Sequence, residues 1–78
     1  MAEIQTTLHD IAAAIVDSPD EVKVTREEDD DTITLTLNVA PDDMGMVIGR
    51  HGRIAKAIRT VVKAATAKND KPVFVEII

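Results

Sequence analysis

The chain has 78 residues, no cysteine, a formal net charge of −5 and an apolar content of 45%, which suits a folded domain. This length predicts one domain over residues 1–78, and the missing cysteine excludes disulfides and thiolate metal sites. No apolar run is long enough to cross a membrane and the N-terminus lacks the features of a signal peptide, so a cytoplasmic location is expected. Domains this small often gain stability by association, so we also expect a homodimer.

The first half of the chain predicts one helix and two strands. Apolar residues recur at helical spacing over residues 4–17, and Pro19 ends that helix. Val22 and Val24 alternate with polar residues as a short strand, and the acidic residues 27–31 form the turn after it. Strict alternation from Thr32 to Val39 predicts a second strand with one buried face.

The second half predicts two helices and a last strand. Pro41, Asp42 and Asp43 favour a helix start, so a short helix is predicted over residues 42–48. A longer helix follows over residues 52–67 and a strand over residues 73–78. The helix 52–67 is expected to bury most of one side, with part of that side or the flank near Val61 open to a partner subunit, and to expose a basic side. The apolar side consists of Ile54, Ile58, Val61, Val62 and Ala65, and the basic side of Arg53, Lys56, Arg59 and Lys63.

The predicted order, α-β-β-α-α-β, indicates an α+β fold with a three-stranded mixed sheet and three helices on one face. The two-helix connection between the second and third strands would permit those strands to be parallel.

Charge is distributed unevenly along the chain. Residues 1–49 carry twelve acidic and two basic side chains, whereas residues 50–71 carry seven basic and one acidic. A basic segment in an acidic protein is typical of a confined polyanion site, and it is equally compatible with a solvated lysine-rich helix face.

The residues at the start of this basic segment form the most informative motif. Gly49 and Gly52 lie three apart between two predicted helices, in a loop that we call the GxxG loop (residues 49–52). Glycine permits a positive φ and leaves room for a ligand backbone. The following helix would direct free N–H groups and its positive dipole end into the loop, where Arg50 adds charge.

This motif resembles that of a KH domain, in which V-I-G-x-x-G precedes a helix with spaced aliphatic residues. The whole chain is similar to the type II form of that fold, and most similar to the small bacterial single-KH RNA-binding proteins of the KhpA (YlqC-like) family. The segments that carry the likeness are residues 19–22, 42–45, 47–50 and 52–62.

The resemblance implies non-catalytic binding of single-stranded RNA, with about four nucleotides clamped at the GxxG loop. The implied RNA-binding residues are Val47, Ile48, Gly49, Arg50, His51, Gly52, Arg53, Ile54, Ala55 and Lys56. Among them, Arg53 and Lys56 are expected near phosphates, and the apolar side chains are expected to line a groove for the bases. The last strand near residues 73–75 is the expected far wall.

The resemblance also implies partners and cellular roles. These are a homodimer or a heterodimer with a larger KhpB/Jag-type KH protein, and a role as an RNA chaperone or post-transcriptional regulator linked to cell-envelope growth. Two other functions stay open. One is a protein-interaction adaptor with little RNA affinity, and the other is a helix-turn-helix binder of duplex DNA.

No residue pattern indicates an enzyme, a cofactor or a metal. His9 and His51 have no ligand spacing, and Ser18 is explained by the end of a helix. The acidic residues 27–31 lack the glycine and spacing of a calcium loop.

Overall fold

The computed structural model describes residues 2–78, so Met1 of the predicted domain lies outside the described residues. Its helices are α1 (Ala2–Ile15), α2 (Met44–Ile48) and α3 (Arg53–Ala65), and its strands are β1 (Lys23–Glu28), β2 (Ile33–Asn38) and β3 (Val73–Ile77). Three 3-10 turns, Pro19–Glu21, Pro41–Asp43 and Arg50–Gly52, precede β1, α2 and α3 respectively. The predicted α-β-β-α-α-β order is confirmed.

The three strands form one mixed sheet in the order β1-β2-β3. β1 and β2 are antiparallel, with Lys23 opposite Asn38, and β2 and β3 are parallel, with Ile33 opposite Val73. The parallel pairing is the one that the two-helix connection permits. The sheet and helices therefore have the arrangement that a type II KH domain requires.

The strict alternation of β2 produces one buried and one open face of the sheet. Ile33, Leu35 and Leu37 are buried, whereas Thr34 and Thr36 on the other face are only partly covered. The helices add the rest of the core through Leu8 and its neighbours on α1, Val47 on α2, and Ile58 and Val62 on α3. All three helices thus cover the same face of the sheet, as predicted.

The hairpin between β1 and β2 differs from the prediction. Glu27 and Glu28 belong to β1, so the turn lies two residues later than the acidic run indicates. The Asp29 carboxylate accepts hydrogen bonds from the amides of Asp31 and Thr32, at 2.8 and 2.7 Å. These hydrogen bonds lower the pKa of Asp29 below its usual value and explain why the chain turns here.

The buried side of α3 also differs from the prediction. Ala55, Ile58, Val62 and the following Thr66 face the core, whereas the predicted core residues Ile54 and Val61 are 37% and 48% exposed. The assignment of Ile54 to the core was wrong, because small Ala55 and polar Thr66 occupy the buried face instead. Val61 lies on the exposed flank that the prediction left open to a partner subunit. Thr66 fits there because its hydroxyl donates to the Val62 carbonyl at 2.7 Å.

The start of α2 is held by a contact between distant segments. The position of Asp43 in the sequence suggested a side-chain cap, but this side chain makes no capping hydrogen bond to the helix. Asp43 is 2% exposed, and its carboxylate accepts a hydrogen bond from the Ser18 amide at 3.0 Å. This contact joins the segment after α1 to the segment that leads into the GxxG loop.

Candidate nucleic-acid interface

The GxxG loop joins α2 to α3 through an unusual sequence of backbone conformations. Gly49 has φ 75° and ψ 175°, and Gly52 has φ 73° and ψ 15°, so both glycines have the predicted positive φ. His51 also has a positive φ, 58°, which was not predicted. Together these conformations turn the chain sharply between two helices and leave Arg50 and His51 exposed.

The two glycines have different surroundings. A Cβ atom added to Gly49 would lie 2.6 Å from Cγ1 and 2.9 Å from Cβ of Ile54, so the space beside Gly49 is already filled by the protein. At Gly52 an added Cβ would meet nothing within 4 Å. On the side where a Cβ would lie, Gly52 is therefore open and Gly49 is filled by Ile54.

Two of the amides expected to be free at the start of α3 are used within the loop. The Gly52 amide donates to the Gly49 carbonyl at 3.2 Å, and the Arg53 amide donates to the Arg50 carbonyl. These bonds close the 3-10 turn and fix the loop. The positive charge available to an anion here comes mainly from the side chains of Arg50 and Arg53, both of which are exposed.

The apolar residues assigned to the site divide into buried and accessible ones. Val47 is fully buried and Ala55 is 4% exposed, so their side chains position α2 and α3 rather than line a surface. Ile48 and Ile54 are 38% and 37% exposed. An apolar surface for bases at this loop would therefore come from Ile48 and Ile54.

One flank of α3 carries the basic residues beyond the loop. We call Lys56, Arg59 and Lys63 the basic flank; all three are exposed. The Arg59 Nε donates to the Val75 carbonyl at 3.3 Å, which places this flank beside β3. The flank therefore continues the positive charge of the GxxG loop along α3 toward the last strand.

The other flank of α3 is apolar and exposed. It consists of Ile54, Ala57, Val61 and Ala65, which follow helical spacing on the side away from the basic flank. Sequence analysis assigned most of this flank to the core. Because Ala55 and Thr66 are buried instead, α3 is rotated about its axis relative to the predicted orientation.

Neither a metal cluster nor a membrane-spanning helix is found within residues 2–78. Among residues 4–78, whose side chains the structure describes, no group of three or more histidine, aspartate or glutamate side chains could hold a metal ion. None of the helices in the same range has the length and apolar character needed to cross a bilayer.

Comparisons with known proteins agree on one family. Residues 5–77 match the family described as KhpA/KhpB, KH domain. The RNA-binding protein KhpA of Clostridium acetobutylicum is 59% identical over 71 residues, which are 91% of this chain and 95% of that protein. The RNA-binding protein KhpA of Halalkalibacterium halodurans is 47% identical over 75 residues, which are 96% of this chain and 99% of that protein.

A third relative, the RNA-binding protein KhpA of Listeria monocytogenes, is 53% identical over 68 residues, covering 87% of this chain and 90% of that protein. No solved structure matches the chain significantly. The match over residues 5–77 includes the GxxG loop, α3 and all three strands, and the matching family is one of KH domains rather than of enzymes. The chain belongs to the KhpA/KhpB KH-domain family.

Proposed function

We propose that this protein binds single-stranded RNA, with about four nucleotides held at the GxxG loop. The observation that carries the proposal is the fixed turn at Gly49 and Gly52, which presents Arg50 and His51 to solvent at the start of a basic helix flank. The names of the relatives, RNA-binding protein KhpA, support the same function. The exposed Ile48 and Ile54 would give the bases an apolar surface.

The phosphate contacts can be tested by reversing charge at the loop. We expect Arg50→Asp combined with His51→Asp to weaken binding of a short labelled RNA at least about tenfold, since a hydrogen bond to a charged group contributes about 1.5–3 kcal/mol. Fluorescence anisotropy at two salt concentrations measures this loss. Binding by the wild-type protein should also weaken as salt rises, because phosphate contacts release counterions.

Lys68→Glu is the control for this experiment. Lys68 is exposed and basic, but it lies beyond the end of α3, roughly 20 Å of helix length from the loop. Its substitution should leave the affinity for a short RNA nearly unchanged. If the loop variant and the wild-type protein bind equally, the GxxG loop is not the RNA site.

We infer further that the apolar flank of α3 is where a second copy of the chain docks. Val61 is 48% exposed at the middle of this flank, and a chain of 78 residues has little core of its own. Linking two RNA sites in a homodimer would raise avidity without new contacts. Val61→Glu should shift the protein from dimer to monomer in analytical ultracentrifugation, whereas Lys68→Glu should not.

A monomeric wild-type protein would contradict the homodimer. In that case the same flank is the candidate contact for a larger KhpB/Jag-type KH protein, which mixing the two proteins would test. The wider role that we infer, as an RNA chaperone or post-transcriptional regulator linked to cell-envelope growth, is supported by the family resemblance. An RNA annealing assay tests the chaperone part directly.

A further inference from the structure

The segment that leads into the GxxG loop contains a buried carboxylate that lies outside the proposed RNA-binding residues. Asp43 is 2% exposed, whereas the neighbouring Asp42 is exposed. Within residues 4–78, whose side chains the structure describes, no cation forms an ion pair with Asp43. Burying a carboxylate without a cation is unfavourable, and an apolar side chain at this position would avoid that cost. What Asp43 contributes must therefore come from the contact that it makes.

Asp43 links two turns that lie far apart in the sequence. Its Oδ2 accepts a hydrogen bond from the backbone amide of Ser18, 25 residues away, at 3.0 Å. Ser18 directly precedes the 3-10 turn Pro19–Glu21. Asp43 itself ends the turn Pro41–Asp43, where its amide donates to the Ala40 carbonyl at 2.8 Å. The carboxylate thereby fixes the start of α2 against the segment between α1 and β1.

Only one short helix separates this contact from the GxxG loop. α2 has five residues, of which Val47 is buried. An isolated helix of this length is unstable, so its orientation depends on its contacts with the rest of the domain. The Gly49 amide donates to the Gly45 carbonyl at 2.8 Å, so the loop begins on the last turn of α2 itself. A shift at the start of α2 is therefore passed directly to Gly49.

Val47 and Asp43 anchor α2 in different ways. Val47 is fully buried in the core cluster, but apolar contacts have no preferred direction. The hydrogen bond that Asp43 accepts requires a defined distance and angle. With Val47 alone, α2 could pivot about its buried side chain, whereas the second contact fixes its direction.

We propose that Asp43 is a positioning residue for RNA binding. By holding the Ser18 amide, it fixes the direction of α2 and thereby the direction in which the GxxG loop presents Arg50 and His51. Because Asp43 is buried, it acts through α2 and makes no contact with RNA. This inference rests on the proposed function and extends it to a residue outside the loop.

RNA affinity provides the first test, measured at a temperature at which every variant is folded. We expect Asp43→Ala to weaken binding of an RNA of about four nucleotides about tenfold, because the apparent affinity falls with the fraction of molecules whose loop is correctly placed. Asp43→Leu removes the acceptor but fills the same space, so it should weaken binding as Asp43→Ala does. Asp43→Asn retains an oxygen that accepts from the Ser18 amide, so its affinity should be within about twofold of the wild type.

Two further variants separate positioning from general stability. Ser18→Ala removes a hydroxyl but keeps the amide that Asp43 holds, so the RNA affinity should be unchanged. Ile4→Ala shortens a core side chain of α1 that is 7% exposed, so it should lower the urea midpoint without changing the RNA affinity of the folded protein. If Ile4→Ala weakens RNA binding as much as Asp43→Ala does, affinity follows stability and the proposal is overturned.

The position of the loop can also be followed without RNA. In nuclear magnetic resonance spectra of the ¹⁵N-labelled protein, Asp43→Ala and Asp43→Leu should shift the amide signals of residues 49–52. Asp43→Asn should leave these signals close to those of the wild type. Signals of residues 49–52 that stay at their wild-type positions in all three variants would overturn the proposal.

The outcomes also separate this inference from the proposed function. If the wild-type protein and all three Asp43 variants bind RNA equally, Asp43 has no positioning role, while RNA binding at the GxxG loop stands. If the wild-type protein does not bind RNA, the proposed function fails and this inference fails with it.

Discussion

Gly49 and Gly52 have nearly the same φ, but different constraints require glycine at the two positions. Gly49 combines φ 75° with ψ 175°, a region that glycine occupies almost alone, and its Cβ position is blocked by Ile54. Gly52 has φ 73° and ψ 15°, close to the left-handed helical region, and an added Cβ would meet open space. The two positions should therefore tolerate substitution differently.

We expect Gly52→Ala to cost about 1–2 kcal/mol of unfolding free energy, the usual cost of a left-handed residue with a Cβ. Gly52→Asn should cost less, because asparagine adopts this conformation more readily. Gly49→Ala should cost more unfolding free energy than Gly52→Ala, because backbone strain and the clash with Ile54 both contribute. Urea denaturation measures all three free energies.

Gly45→Ala is the control for these substitutions. Gly45 lies within α2, has no positive φ and has nothing within 4 Å of an added Cβ. Alanine there should be neutral or stabilising by up to about 1 kcal/mol. Equal losses at Gly45, Gly49 and Gly52 would contradict the conformational argument.

At the scale of the elements, α3 has three functionally different sides. Its core side holds Ile58 and Val62, its basic flank faces β3, and its apolar flank is exposed. The helix thereby connects the GxxG loop to the sheet and exposes a basic flank and an apolar flank that are separate from each other.

Two isoleucines of α3 test this orientation. Ile58→Ala should cost about 2–5 kcal/mol, because Ile58 is 3% exposed and its loss leaves a cavity. Ile54→Ala should cost far less, because Ile54 is 37% exposed. Chemical denaturation at low protein concentration separates folding from association. Equal costs for the two substitutions would show that the buried side of α3 is assigned wrongly.

The tip of the β1–β2 hairpin is tied to the loop before β3. Hydrogen bonds from Lys71, and then Arg26, lower the pKa of the Glu28 carboxyl below its usual value. Because the pKa is lower in the folded state, the charged carboxylate stabilises the fold at pH values above the ordinary glutamate pKa. This stabilisation is lost as the pH falls through the lowered pKa.

Glu28→Gln should therefore be slightly less stable than the wild type at pH 7, with a difference that shrinks once the pH falls below about 4.5. Thermal unfolding followed across this pH range measures the difference. Glu27→Gln is the control, because Glu27 forms no ion pair among the residues described. A difference that grows on acidification would contradict the assigned contacts.

In the whole molecule, each edge strand of the sheet accepts a hydrogen bond from a helix side chain. The Gln5 side chain donates to the Val24 carbonyl at 2.8 Å on β1, and Arg59 donates to the Val75 carbonyl on β3. These two contacts hold α1 and α3 against the two edge strands.

We propose that residues 1–78 form one cooperative domain. Leu8, Leu35, Val47 and Val62 come from four different elements and lie in one core cluster. Unfolding should therefore follow a single transition in which the calorimetric and van't Hoff enthalpies agree. Two resolved transitions would contradict a single cooperative unit.

The sequence predicted the elements well because their signals are local. The alternation of β2 and the positive φ of Gly49 and Gly52 depend on neighbouring residues alone. The orientation of α3 depends on whether Ala55 or Ile54 is buried, which helical spacing alone does not decide. The Lys71–Glu28 pair joins residues 43 positions apart, so no local pattern could indicate it.

The distribution of charge along the sequence indicated the general position of the candidate site but not its extent. The seven basic residues of positions 50–71 are not equivalent in the fold. Lys71 is neutralised at the hairpin tip, whereas Arg50 lies exposed in the GxxG loop. Only the folded structure distinguishes a cation that can meet RNA from one that holds two loops together.

RNA binding at the GxxG loop is tested most directly by a nuclear magnetic resonance titration of the ¹⁵N-labelled protein with a single-stranded RNA of about four nucleotides. We expect the largest amide shifts on the GxxG loop and the first turn of α3, residues 49–56. Amides of β1, on the far edge of the sheet, should change little. Largest shifts on β1 or α1, with the GxxG loop unchanged, would contradict RNA binding at this loop.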